Sequence, residues 1–126
     1  MKFRGKIIKV ILVDEAKEFF LKLKKTVNEE IEKRINSSTN QTLLNSIKNK
    51  ITLLKENPEY GIHVPKNKIP DYYIKRYEIS NLRKINLPNG WRIIHTIKGN
   101  NSELTVIILD IFSHKDYDRR FGYRQR

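Results

Sequence analysis

Between Leu82 and Phe112 three β-favouring runs alternate with two clusters of turn residues, a pattern that admits little besides an antiparallel meander. The first run, Leu82–Leu87, carries apolar side chains at Leu82, Ile85 and Leu87 and ends in Pro88-Asn89-Gly90. The second, Trp91–Ile97, sets Trp91, Ile93 and Ile97 on one parity and Arg92, Ile94 and Thr96 on the other. The third, Leu104–Phe112, is almost continuously apolar, as expected of a strand covered on both faces or central in its sheet. Asn89-Gly90 and Gly99-Asn100 are expected to supply the positive φ values that hairpins require. After the third strand comes a tail, Ser113–Arg126, dense in His, Lys, Arg and aromatic residues. The sheet reads as a scaffold, and any chemistry belongs on its rim.

With 126 residues the chain is expected to form one domain, residues 1–126, large enough for a real core. The absence of cysteine excludes a disulfide framework and a thiolate metal site. His63, His95 and His114 lie far apart and show no metal-ligand spacing. No apolar run approaches the roughly 20 residues of a membrane span. The N-terminal run, interrupted by Lys9 and lacking a small-residue cleavage site, reads as a first strand instead of a signal peptide, so a cytoplasmic protein is expected. The formal net charge is +12, and three quarters of it sits in residues 66–98 (net +6) and in the tail (net +3). Such a field raises encounter rates with polyanions and is the electrostatic footprint of nucleic-acid binding; a solubilising surface is the plainer reading.

Lys6–Val13 is the first strand, and Asp14 offers an N-cap to the helix that follows, with Glu15 and Glu18 complementing its dipole. Ala16, Phe19, Phe20, Leu23, Val27, Ile31 and Ile35 recur at three and four residues, which predicts an amphipathic helix of about five turns. The polar run 36–40 stops it. Thr39 or Asn40 caps a second helix with the face Leu43, Leu44, Ile47, Ile51 and Leu54, ended by Asn57-Pro58. Pro58–Pro70 is a connector, and Asp71–Tyr77 a short helix opened by Pro70. The expected architecture is α+β: an N-terminal strand, a two-helix hairpin laid on the sheet, then the three-stranded antiparallel meander, in the order β-α-α-β-β-β.

That order, the basic first strand of the meander, NGWRIIH in its middle and HKDYDRRF after its last strand resemble the RelE/ParE superfamily of type II toxins. The likeness is strongest over residues 69–123, where IPDYYIKRY and HKDYDRRFGY resemble an archaeal RelE-like branch. It implies a ribosome-dependent endoribonuclease that cleaves mRNA and is held inactive by a cognate antitoxin, with neither metal nor cofactor. In that reaction the ribose 2′-OH attacks the adjacent phosphate. It needs a base, cations around the phosphorane, an acid for the leaving 5′ oxygen, and planar groups that splay the bases.

By the resemblance, Arg92 of Gly90-Trp91-Arg92 matches the family's central-strand arginine, and Arg83 and Lys84 match the basic residues of the preceding strand. His114, Lys115 and Tyr117 match the motif after the sheet, with Arg119 and Arg120 further on. Two departures stand out: Asn86 falls where the family has a second lysine, and Tyr117 follows His114 by only three residues. The implied site has Arg92, His114 and Tyr117 as catalytic residues and Arg83, Lys84, Lys115 and Arg119 on RNA phosphates. The plainer readings make Arg92 a solvated strand residue or a partner of Asp110, His95 a packed or surface histidine, and Trp91 and Phe121 packing residues. Tyr117, Phe121 and Tyr123 stack on bases or pin the tail. Two other functions stay open: a ParE-like, non-catalytic inhibitor of a protein target such as gyrase, and a catalytically inactive RNA-binding relative. The topology of the last hairpin predicts that Arg92, His114 and Tyr117 converge in one cleft at one end of the sheet, with Lys84 lining its approach if it shares the face of Arg92.

Overall fold

The computed structural model describes residues 2–3 and 5–122. Its elements are β1 (Lys2–Phe3), β2 (Lys6–Leu12), α1 (Asp14–Glu32), α2 (Thr39–Glu56), β3 (Ile62–His63), α3 (Asp71–Tyr77), β4 (Arg83–Asn86), β5 (Arg92–Gly99), β6 (Glu103–Phe112) and α4 (His114–Phe121). The expected β-α-α-β-β-β order is present as β2-α1-α2-β4-β5-β6. Added to it are two short edge strands, β1 and β3, and the helices α3 and α4. The six strands form one sheet in the order β1-β2-β6-β5-β4-β3. β4, β5 and β6 are the antiparallel meander, and β2 lies parallel to β6. That neighbour explains why Leu104–Phe112 is so apolar: β6 is central and covered on both faces.

Two hydrophobic clusters sandwich the sheet. On one face α1 and α2 bring Ala16, Leu23, Leu43, Ile47 and Leu54 onto Ile85, Ile93, Val106 and Ile108. On the other, α3 and α4 bring Tyr73 and Tyr117 onto Leu82, Ile94, Leu109 and Phe112. Trp91 packs on the first cluster, its ring 5.1 Å from that of Phe19. The face expected of α2 is buried at Leu43, Leu44, Ile47 and Leu54, with Ile51 half-buried. The stripe of α1 outruns the core: Ile31 is exposed, and Ile35 lies beyond the helix end and is exposed as well.

Several local expectations are corrected. Asp14 does not cap α1; Val13 holds the N-cap position, and Asp14 is the first helical residue with φ +47°. Its carboxylate is committed elsewhere, accepting from the Tyr77 hydroxyl at 2.9 Å and pairing with Arg76 at 3.3 Å, so α1 is tied to α3. Ser38, instead of Thr39 or Asn40, caps α2 by accepting from the Gln41 N–H at 3.1 Å. Asn89 and Gly90 have positive φ as expected, but neither Gly99 nor Asn100 does. The Asn100 side chain closes that turn by accepting from the N–H groups of Ser102 (2.9 Å) and Glu103 (2.8 Å), which replaces the need for a left-handed residue. The connector contains strand β3, and the tail begins as helix α4. Among the described residues no helix is long and apolar enough to cross a membrane.

Candidate functional site

Alternation along β4 sends Leu82 and Lys84 to the α4 face and Arg83 and Ile85 to the face of α1 and α2. In β5, Arg92 lies opposite Asn86 of β4 and Phe112 of β6. Helix α4 starts two residues after Phe112 and folds back over this part of the sheet. The Ser113 hydroxyl accepts from the Asp116 N–H at 3.3 Å, and Gly122 ends the helix in the left-handed conformation.

Lys84, Arg92 and Tyr117 therefore converge from three elements. The Lys84 Nζ lies 2.9 Å from the Tyr117 hydroxyl, to which it donates. The Arg92 guanidinium carbon sits 5.3 Å from the Tyr117 ring centroid, and Lys84 Nζ 5.0 Å. The two cations flank one phenol, Arg92 near the ring and Lys84 at its hydroxyl, and their like charges favour an anion beside them. Arg92 donates from Nη1 to the Trp91 carbonyl at 3.1 Å. Its Nε–H is buried and has no hydrogen-bond partner among the described residues. Tyr117 itself is only 4% exposed; its ring stacks on Phe121 at 4.5 Å and meets Phe112 edge-on at 6.2 Å. Its hydroxyl holds Lys84, its ring packs α4 on the sheet, and little of that ring is open to solvent.

His114 stands at the same end of the sheet as Arg92. Gly90, in the β4–β5 turn, has φ +78°, and a Cβ there would lie 3.0 Å from the His114 Cβ, so the close approach of turn and helix requires glycine. Spacing along α4 puts His114, Tyr117, Asp118 and Phe121 on one helical face. The His114 ring is well exposed, and its Nε2 is 3.1 Å from the buried Asp118 carboxylate. With Nε2 turned to that carboxylate, Nδ1 is the ring nitrogen left for another partner.

The remaining residues of interest are more dispersed. Arg83 points to the opposite face, where its Nη1 donates to the Gly61 carbonyl at 3.4 Å. Lys115 is exposed on α4, and Arg119, also exposed, pairs with Asp116 at 3.4 Å. Asn86 is exposed on the face of Lys84, and Tyr123 lies outside the described residues. Of the other histidines, His63 is exposed on edge strand β3. His95 is fully buried, its Nε2 3.1 Å from the Tyr60 carbonyl, and burial pushes its pKa down to about 4.

Two aspartates have roles that the sequence reading did not assign. Asp118 orients His114, and the Ser113-x-x-Asp116 pattern, a helix-start signature, would have revealed the helix that spaces them. Asp110 is the second. It does not partner Arg92; its buried carboxylate accepts from the Tyr73 hydroxyl at 2.7 Å and from Arg120 Nη1 at 2.9 Å. The Arg120 guanidinium also lies 3.7 Å from the centroid of the Tyr72 ring, so α4 is clamped to α3 and β6. Burial raises the Asp110 pKa, against the lowering effect of Tyr73 and Arg120. Among the described residues no group of three or more His, Asp or Glu side chains is placed to hold a metal ion. The topology is consistent with the RelE/ParE-like order, but no protein-family model, curated protein or solved structure matches the chain.

Proposed function

We propose that this protein is a RelE-like toxin: an endoribonuclease that cleaves mRNA on the ribosome without a metal or cofactor and is restrained by a cognate antitoxin. The observation that carries the reading is the convergence of Lys84 and Arg92 on Tyr117, beside a His114–Asp118 pair at the same end of the sheet. Transesterification of RNA needs this inventory. A base removes the 2′ proton, the 2′ oxygen bonds to phosphorus, and the P–O5′ bond breaks as an acid protonates the leaving oxygen, giving a 2′,3′-cyclic phosphate and a 5′ hydroxyl. Arg92 and Lys84 neutralise the phosphorane, whose extra negative charge develops only in the transition state. Tyr117 holds the Lys84 ammonium in place. His114, oriented by Asp118, exchanges the proton through Nδ1. Lys115 and Arg119, exposed on the outer side of α4, take neighbouring phosphates. Arg83, on the far face, contributes to the long-range field alone.

Expression of the protein with pulse labelling of translation and of DNA synthesis tests the reading. Translation is expected to stop first. If DNA synthesis fails first, the ParE-like inhibitor is the correct account; if neither fails, the chain is an inactive relative, as Asn86 in place of a second lysine would allow.

A further inference from the structure

Next to the basic cluster the connector between α2 and α3 walls off a cavity of about 200 Å³. Ile62, Val64, Pro65 and the Phe121 ring line it, together with Lys68, Lys84 and the edge of the largely covered Tyr117. The connector is pinned in place. The Val64 N–H donates to the Leu82 carbonyl at 2.9 Å, and His95 holds the Tyr60 carbonyl at 3.1 Å. Gly61 has φ +112°, and a Cβ there would sit 2.9 Å from the Lys84 carbonyl oxygen, so the chain passes too close to β4 for any other residue. A wall anchored this way is preformed and costs little ordering on binding.

We propose that this cavity is a subsite for one unpaired nucleobase, that of the nucleotide next to the phosphate held by Lys84 and Arg92. The inference rests on the RNA-cleaving reading and adds to it where the adjoining base goes. Three observations support it. The cavity is smaller than the roughly 300–1,000 Å³ of sites for drug-sized ligands, which suits a single ring system. Its lining joins aliphatic side chains and the half-buried Phe121 ring to two lysines, the combination that stacks a base and flanks it with phosphate contacts. Lys84 and Tyr117 line both the cavity and the cluster, so a phosphate at Lys84 has the cavity beside it. Among the cavity-lining side chains, only His63, Lys68, Lys84 and the Tyr117 hydroxyl carry polar groups, so the presence of a base matters more than its identity.

The experiment measures binding of the full chain to a short single-stranded RNA, made non-cleavable by 2′-deoxy substitution, at low ionic strength. Its bases are removed one position at a time. Removal at one position is expected to weaken binding by about five- to a hundredfold, the worth of one stacked base, with little effect elsewhere. Ile62→Trp, at an exposed strand position, fills the cavity and should reduce binding of the intact RNA to that of the RNA lacking this base. RNA that binds with the same small loss at every position overturns the subsite and leaves the RNA-cleaving reading standing. Wild-type protein that binds no RNA overturns the subsite, and a message left intact in a translation mixture overturns the RNA-cleaving reading itself.

Discussion

The ammonium of Lys84 on β4 donates to the hydroxyl of Tyr117 on α4 across 2.9 Å, joining residues 33 apart in sequence. This bond fixes the cation against the ring and ties the helix that carries His114 to the sheet that carries Arg92. Tyr117→Phe removes the bond and little else. It is expected to lower RNA cleavage by about tenfold and stability by about 1 kcal/mol, the net worth of one such bond. Lys84→Met removes the charge itself and is expected to cost about 10²-fold in cleavage with no loss of folding. Cleavage assays paired with thermal melts read both. Full activity in the Lys84 variant would take this lysine out of the site.

His114 and Asp118 are separable by how much activity each variant loses. His114→Ala is expected to lower cleavage by about 10²-fold, the scale of one acid–base group. Asp118→Asn leaves the imidazole present but less firmly oriented, so cleavage should fall by less than in His114→Ala. Wild-type cleavage by Asp118→Asn would show that this contact serves only to hold the helix.

Asp110 is expected to matter for stability ahead of chemistry. Asp110→Asn leaves the Arg120 guanidinium and the Tyr73 hydroxyl without their buried carboxylate. Breaking one side of a buried pair costs about 3–5 kcal/mol, and the 29% exposure of the Arg120 side chain puts this case at the low end. Urea denaturation gives the loss directly. A variant as stable as wild type would mean that water replaces the carboxylate without cost.

His95 should make the fold sensitive to acid. Burial lowers its pKa from 6.5 to about 4, so as pH falls below 6.5 the unfolded chain takes up a proton that the native state refuses. The stability linked to this group is full above pH 6.5, declines as pH falls toward 4, and amounts to about 3 kcal/mol over that window. His95→Gln keeps a donor for the Tyr60 carbonyl and removes the titration. Its stability should fall less steeply than that of wild type between those values, and parallel curves would contradict the assignment.

Much of this arrangement is legible in the sequence, and its gaps have physical causes. Period-two and continuous apolar runs place β4, β5 and β6 within two residues, and helical spacing identifies the buried face of α2. The hairpin topology correctly sets His114 at the Arg92 end of the sheet, because Arg92 pairs with Phe112. Strand β3 is invisible because its two residues owe their conformation to pairing with Arg83 and Lys84, not to any local pattern. Helix α4 is masked by its composition: its buried residues are a tyrosine and an aspartate, so apolar periodicity gives no signal. Asp14 looks like a cap because caps are read locally, whereas its partners Arg76 and Tyr77 lie more than 60 residues away. The burial of Tyr117 depends on the same helix and is equally hidden.

The central claim is that the cluster around Tyr117 cuts RNA through the ribose 2′ oxygen. The most direct test adds purified protein to a translation mixture programmed with a defined message and determines the chemistry of the new ends. The account predicts fragments ending in a 2′,3′-cyclic phosphate and beginning with a 5′ hydroxyl, reduced about 10²-fold when Arg92→Gln replaces the charged donor. An intact message with the wild-type protein, or the same yield of fragments from Arg92→Gln, would contradict it.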